Sequence, residues 1–135
     1  MDERRENLSG SREFYQLHWG RDISFFEKGS KIISLRKCVE RPVFSYTSEE
    51  VFVMLSFNVI KTKKIDMKKL VAILNSKLIK FWLLHRGKMQ GDIFQVDKEP
   101  LLEIPLKTPS DKITLSVDKM LSLNKELQEK VSSFQ

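Results

Sequence analysis

Asp92, Asp97 and Glu99 crowd into the short run "DIFQVDKEP", with Lys98 between the last two. A metal-dependent nuclease needs paired carboxylates and a lysine, placed on a strand and its neighbour, around a divalent cation. Asp97-Lys98-Glu99 is too short a run to specify that arrangement, and helix capping or surface solvation is the simpler role. His18 and His85 are the only histidines, and Cys38 is the only cysteine. A thiol nucleophile needs an imidazole beside it, and nothing in the spacing brings either histidine to Cys38. A lone cysteine makes no internal disulfide, so Cys38 in "KIISLRKC" reads as a strand or core thiol. His85 falls on the apolar side of a helical pattern, where a hydrogen-bonded core histidine is expected. GxGxxG, P-loop, HExxH and CxxC motifs are all absent. The sequence therefore offers no catalytic residue and no metal ligand set.

Basic residues are better distributed. Arg21 follows an aromatic-rich segment. Arg36 and Lys37 stand at the end of a strand pattern, and Lys61, Lys63 and Lys64 follow another. "HRGKMQG" puts Arg86, Lys88 and Gln90 around Gly87, with Gly91 beyond. Lysine and arginine neutralise phosphates without reading sequence. Glutamine pairs bidentately with adenine, and arginine or lysine with guanine. Glycines at the flanks of such a loop let backbone approach a groove closely. These residues are candidates for nucleic-acid contact: Arg86, Lys88 and Gln90 for base edges, and Arg21, Arg36, Lys37, Lys61, Lys63 and Lys64 for phosphates.

The elements that hold them follow from periodicity. Residues 1–12 read as a polar, flexible tail and 13–135 as one domain. "KIISLRKC" is a β-branched strand. Val51, Val53, Leu55, Phe57 and Val59 alternate strictly, which predicts a second strand with one apolar face. Phe44 to Tyr46 would pair back on it as a hairpin. Asp66 then caps a single helix running to Arg86, with Leu70, Leu74, Leu78, Phe81 and His85 sharing a buried face. Gly87 is expected to end that helix in a left-handed conformation. "DIFQV" suggests a short strand. "TPSD" (Thr108 to Asp111) forms a capping box. The closing helix carries Ile113, Val117, Met120, Asn124, Leu127 and Val131 at spacings of four and three, a coiled-coil-like seam with a register-setting asparagine. The expected fold is α/β (α+β): a small mixed or antiparallel sheet, a long buried central helix and a C-terminal amphipathic helix.

The totals agree with a single domain. The chain has 135 residues, 41% of them hydrophobic and 31% charged, enough apolar content for a core. No apolar run is long enough to span a bilayer. The charged start "MDERRENLSGSREF" is not a signal peptide, so the chain is expected to be cytoplasmic, with no membrane partner. A net charge of +6 favours a polyanionic partner.

"LVAILNSKLIKFWLLHRGKMQGDIFQVDKEPLLEIPL" resembles the C-terminal specificity domain of the TaqI-like adenine DNA methyltransferases, including the single-chain type IIG restriction-modification enzymes. The similarity runs through Leu74-Asn75-Ser76-Lys77-Leu78, Phe81-Trp82, Gly87-Lys88-Met89, Gly91, Phe94, Leu102 and Ile104-Pro105. "LHWGRDISFFEKGSKIISLRKC" upstream is similar to the domain's opening, so that the resemblance covers nearly all of Phe14 to Lys130.

The resemblance implies a target recognition domain, non-catalytic by itself, that clamps duplex DNA against a separate methyltransferase domain of a parent enzyme. S-adenosylmethionine and Mg2+ would belong to that parent. An "NPPY"-type motif is absent here, so the chain looks like an excised or truncated module. In the family helix Leu74, Leu78, Phe81 and Trp82 are core, and Asn75 and Ser76 cap or bridge. Two rival readings stand beside this one. One is a protein-interaction module whose closing helix pairs with a partner helix, or weakly with a second copy of itself, through Val117, Met120, Asn124 and Leu127. The other is a small metal-dependent nuclease using Asp92, Asp97 and Glu99.

Overall fold

The computed structural model describes residues 22–106 and 111–133. Their architecture is mixed α/β: two small antiparallel sheets, of three strands each, packed with helices. The strands are β1 (Lys31–Leu35), β2 (Lys37–Val39), β3 (Phe44–Thr47), β4 (Phe57–Ile60), β5 (Lys88–Gln90) and β6 (Ile93–Gln95). The helices are α1 (Met67–Leu74), α2 (Lys77–Arg86), α3 (Lys98–Leu102) and α4 (Asp111–Ser132), after an opening 3-10 turn at Ile23–Phe25. The first sheet has the order β3-β1-β4 and the second β2-β6-β5. Only Arg36 separates β1 from β2, so one nearly continuous extended segment serves both sheets.

The expected hairpin between residues 44–46 and 51–59 does not form. β3 and β4 instead flank β1 on opposite sides, with Ile32 opposite both Tyr46 and Ile60. The predicted strand shortens to Phe57–Ile60 because residues 48–51 find other partners. Gly29 N–H donates to the Ser48 carbonyl at 2.8 Å and Val51 N–H to that of Phe26 at 3.1 Å. Phe52 stacks on Phe26 with centroids 5.3 Å apart. The buried ammonium of Lys31 closes this corner, donating to the carbonyls of Phe26 (3.1 Å), Glu27 (2.7 Å) and Glu49 (2.5 Å). An ammonium has three protons to donate, and all three have a carbonyl partner.

The single helix expected from Asp66 to Arg86 is two helices. Asp66 does cap the first, its side chain accepting from Lys69 N–H at 2.9 Å. The break comes at Asn75–Ser76. Asn75 turns its amide onto the backbone of Phe44, accepting from its N–H at 3.1 Å and donating to its carbonyl at 2.7 Å. Ser76 caps α2 through Ile79 N–H at 3.4 Å. Short polar side chains that bond backbone outside the helix compete with its continuation, and here they win. Asn75 thus bridges and Ser76 caps, as expected for the "LNSKL" motif.

The break also rotates the apolar face. Ile79 and Leu83 are buried, while Leu78, Phe81 and Leu84 are exposed. Leu78 and Phe81 are therefore not core, and Trp82 is only half-buried. His85 is a surface residue, not a core histidine. Its Nδ1–H donates to the Phe81 carbonyl at 2.9 Å and its ring lies against that of Phe81.

The core gathers Ile32, Phe44, Leu70, Val71, Leu74, Ile79, Leu83, Phe94 and Val96 between the sheets and α1–α2. Cys38 belongs to it, as a strand thiol should. Trp82 Nε1 donates to the Pro100 carbonyl at 2.9 Å and holds α3 against α2. α4 crosses α1, burying Val117 and resting Ile113 and Leu121 on the core. Lys68–Asp118 (2.5 Å) and Lys69–Asp111 (2.6 Å) pin the crossing. The predicted seam is engaged only at its start, since Met120, Leu127 and Val131 are exposed. Of the predicted capping box, residues 108–110 lie outside the described residues. No described helix is long and apolar enough to cross a membrane.

Candidate nucleic-acid interface

The second sheet has two faces of opposite character. Antiparallel strands put residues in direct register side by side, and the register gives three rows across β2, β6 and β5. The middle row, Cys38–Phe94–Met89, faces the core. The outer rows are Lys37–Gln95–Lys88 and Val39–Ile93–Gln90, and both turn away from it. Alternation along a strand produces this separation: three short strands collect two lysines and two glutamines on one side.

Side chains on this face are joined. Lys37 Nζ donates to Gln90 Oε1 at 3.3 Å. Gln95 Nε2 donates to both carboxylate oxygens of Asp97, at 3.1 and 3.2 Å. The Asp97 carboxylate, 12% exposed, also lies 3.8 Å from the Arg36 guanidinium and 4.0 Å from Lys88 Nζ. Arg36 is fixed from both sides by its backbone, its N–H donating to the Ser56 carbonyl and its carbonyl accepting from Val96 N–H, each at 2.8 Å. A shallow cleft of about 400 Å³ opens beside it, lined by Leu35, Arg36, Lys37, Leu55, Ser56 and Gln95.

"GKMQG" is therefore not an irregular loop. Residues 88–90 are strand β5, and the hairpin to β6 turns through Gly91 and Asp92. Gly91 has φ +59° while Asp92 keeps a negative φ, the sign pattern of a type II′ turn with glycine first. Gly87 has φ −84° and ψ −176°, so its expected left-handed conformation is replaced by extended backbone. The helix must give way at once to a strand, and an αL residue would turn the chain elsewhere. Glycine is still required, because a Cβ there would sit 2.5 Å from the Leu83 carbonyl oxygen.

The other candidates disperse. Arg86 stacks over Trp82 at 5.6 Å and pairs with Glu103 at 3.4 Å. Lys61 Nζ donates to the Ser24 carbonyl at 2.7 Å, close to Asp22, whose carboxyl is held below its usual range by hydrogen bonds from Ser24. Lys61 and Lys64 line a second, larger groove between β4, α1 and α3. Lys63 is exposed and lines neither cleft, and Arg21 lies outside the described residues. Of the nine candidates, Arg36, Lys37, Lys88 and Gln90 are thus brought together. Gln95 was missed, because one glutamine in an apolar strand carries no signal until register sets it between two lysines.

The carboxylates do not assemble. Asp92 is an exposed turn residue, and the neighbours of Asp97 are two cations and an amide. Among the described residues no three metal-ligating side chains converge.

The sheet face and the "LNSKL" break both lie within a segment that matches a known family. The chain belongs to the TaqI-like C-terminal specificity domain family, whose model matches residues 3–106. The match starts nearer the N-terminus than the Phe14 boundary of the resemblance and stops short of Lys130, leaving α4 beyond it. A search of curated proteins finds no match.

Proposed function

We propose that this chain is the duplex-DNA recognition module of a restriction-modification enzyme, and that the outer face of β2-β6-β5 is its DNA-contacting surface. The carrying observation is the pair of rows Lys37–Gln95–Lys88 and Val39–Ile93–Gln90, flanked by Arg36. A major groove about 12 Å wide admits β-structure, and β5 with its hairpin turn to β6 forms a free edge of this three-stranded sheet. Lys37, Lys88 and Arg36 supply the sequence-independent attraction to phosphate, and the glutamines supply hydrogen-bonding groups for base edges. Arg86 at the end of α2 adds a further cation; Lys61, Lys63 and Lys64, and Arg21 by its charge alone, add to the chain's overall attraction for a polyanion.

On this reading the module performs no chemistry. Methyl transfer, with S-adenosylmethionine, and any Mg2+-dependent cleavage belong to other parts of a parent enzyme, and the methyltransferase domain there is the second partner. The cytoplasm, where such enzymes meet DNA, is its compartment.

The test is binding of the full chain to a random-sequence duplex, followed by fluorescence anisotropy. Three phosphate contacts predict a roughly fortyfold loss of affinity between 50 and 200 mM salt. Affinity that stays flat over this range would remove phosphate neutralisation as the mechanism.

The exposed Met120, Leu127 and Val131 on α4 favour a second contact, with protein. Sedimentation of the chain alone distinguishes self-association from a surface kept for another domain.

A further inference from the structure

The Gln95–Asp97 pair assigns a reading role that neither residue has by itself, and this inference rests on the sheet face being the DNA surface. Gln95 stands at the centre of its row, between Lys37 and Lys88. Its Nε2 points at both oxygens of Asp97. The opposite amide orientation would set Oε1 against a carboxylate, acceptor against acceptor, so the carboxylate fixes which end of the amide faces it. That leaves Oε1 as the end of the amide not held by Asp97, in a side chain that lines the open cleft with Arg36 and Lys37. We infer that Gln95 is the specificity-determining residue of this surface and Asp97 its positioning residue. A fixed acceptor selects a base that presents a donor. In the major groove that donor is an exocyclic amine, N6 of adenine or N4 of cytosine.

Asp97 has a second effect, of opposite sign. Its carboxylate lies near both Arg36 and Lys88, the cations best placed to meet phosphate. While paired with Asp97 they attract any DNA less strongly. The same side chain therefore sharpens reading and weakens indiscriminate binding.

The experiment uses the full chain and a pool of duplexes with a randomised stretch, from which bound sequences are selected for wild type, Gln95→Ala and Asp97→Ala. Asp97 is the N-cap of α3 but makes no side-chain capping bond, so its truncation leaves that helix start intact. Wild type should prefer an amine-bearing base at one position. Gln95→Ala should lose that preference, about two- to tenfold for one hydrogen bond. Asp97→Ala should lose it too, yet bind the unselected pool at least about twofold more tightly. Replacing the preferred base by its analogue without the amine should cost wild type what Gln95→Ala costs on the natural base, and cost the variant nothing more.

Retention of the preference in Gln95→Ala overturns the assignment of Gln95. Joint loss of preference and pool binding in Asp97→Ala makes Asp97 merely structural and overturns its assignment. Salt-sensitive binding without any base preference sinks this inference and spares the DNA-binding reading. No binding by wild type sinks both.

Discussion

The side chain of Asn75 pairs with both backbone polar groups of Phe44, imitating one rung of a β-ladder between a helix end and strand β3. This one contact ends α1, frees Ser76 to cap α2 and ties both helices to the first sheet. Asn75→Ala should cost about 1–2 kcal/mol in urea unfolding, since it leaves two partly buried backbone groups unpaired. Asn75→Asp should do little better, because a carboxylate accepts from Phe44 N–H but cannot donate to its carbonyl. A cost within error of zero for both would mean that water replaces the amide.

Lys31→Met should destabilise by about 2–4 kcal/mol. The apolar replacement has similar length, but three inward-facing carbonyls lose their donor. The loss should centre on residues 26–29 and 48–51, where hydrogen exchange would report faster opening than in the β5–β6 hairpin. Uniform acceleration across the chain would contradict a local clamp.

Gly87→Ala places a methyl group 2.5 Å from the Leu83 carbonyl oxygen. The backbone conformation itself suits any residue, so the effect is steric and should be about 1–3 kcal/mol. Because α2 and β5 must part to relieve it, DNA affinity should fall along with stability in the same titrations. Gly91→Ala meets open space but a positive φ, so it should cost about 1 kcal/mol through backbone strain alone.

Lys88→Ala and Lys61→Ala separate the two basic regions. Lys88→Ala should lower the slope of log affinity against log salt by about one, equally for all sequences. Lys61→Ala should change it less, because that ammonium is held by the Ser24 carbonyl near Asp22. The reverse ranking would move the DNA surface to the groove beside β4.

Docking of α4 should be level across neutral pH. Hydrogen bonding to Lys69 lowers the Asp111 carboxyl from 3.8. Its contribution is therefore present above that value and lost as pH falls through the depressed folded-state value. Hydrogen bonding to Asp118 raises Lys68 from 10.5, so that contribution is complete below 10.5 and lost above the raised value. Both groups are on the surface and each effect is small. The melting difference between wild type and Asp111→Asn should be visible at pH 7 and vanish in acid, once pH falls below the depressed Asp111 value.

Much of this was legible from residue types. The cap at Asp66, the core thiol Cys38, the short strand at "DIFQV" and the mixed α/β class all rest on local signals that the fold respects, whereas the roles of Asn75 and Ser76 come only from the family resemblance. The failures share one cause. The strand at 51–59 and the unbroken helix were read from periodicity, which assumes that the backbone's partners lie within the element. Lys31 and Asn75 supply partners from outside, and no local pattern announces a lysine meeting three carbonyls or an amide meeting a distant strand. Gln95 was hidden for the same reason. Its position between Lys37 and Lys88 depends on pairing across more than fifty residues of chain.

The single-residue hinge at Arg36 imposes an order of assembly. β1, β3 and β4 all lie within residues 31–60, so the first sheet can close while the rest of the chain is still emerging from the ribosome. β2 is then already extended from its end but has no mate until residues 88–95 exist. Long closures of this kind are the slow ones. A chain that ends before residue 95 can therefore complete the first sheet but not the second, and the row Lys37–Gln95–Lys88 exists only once both have formed.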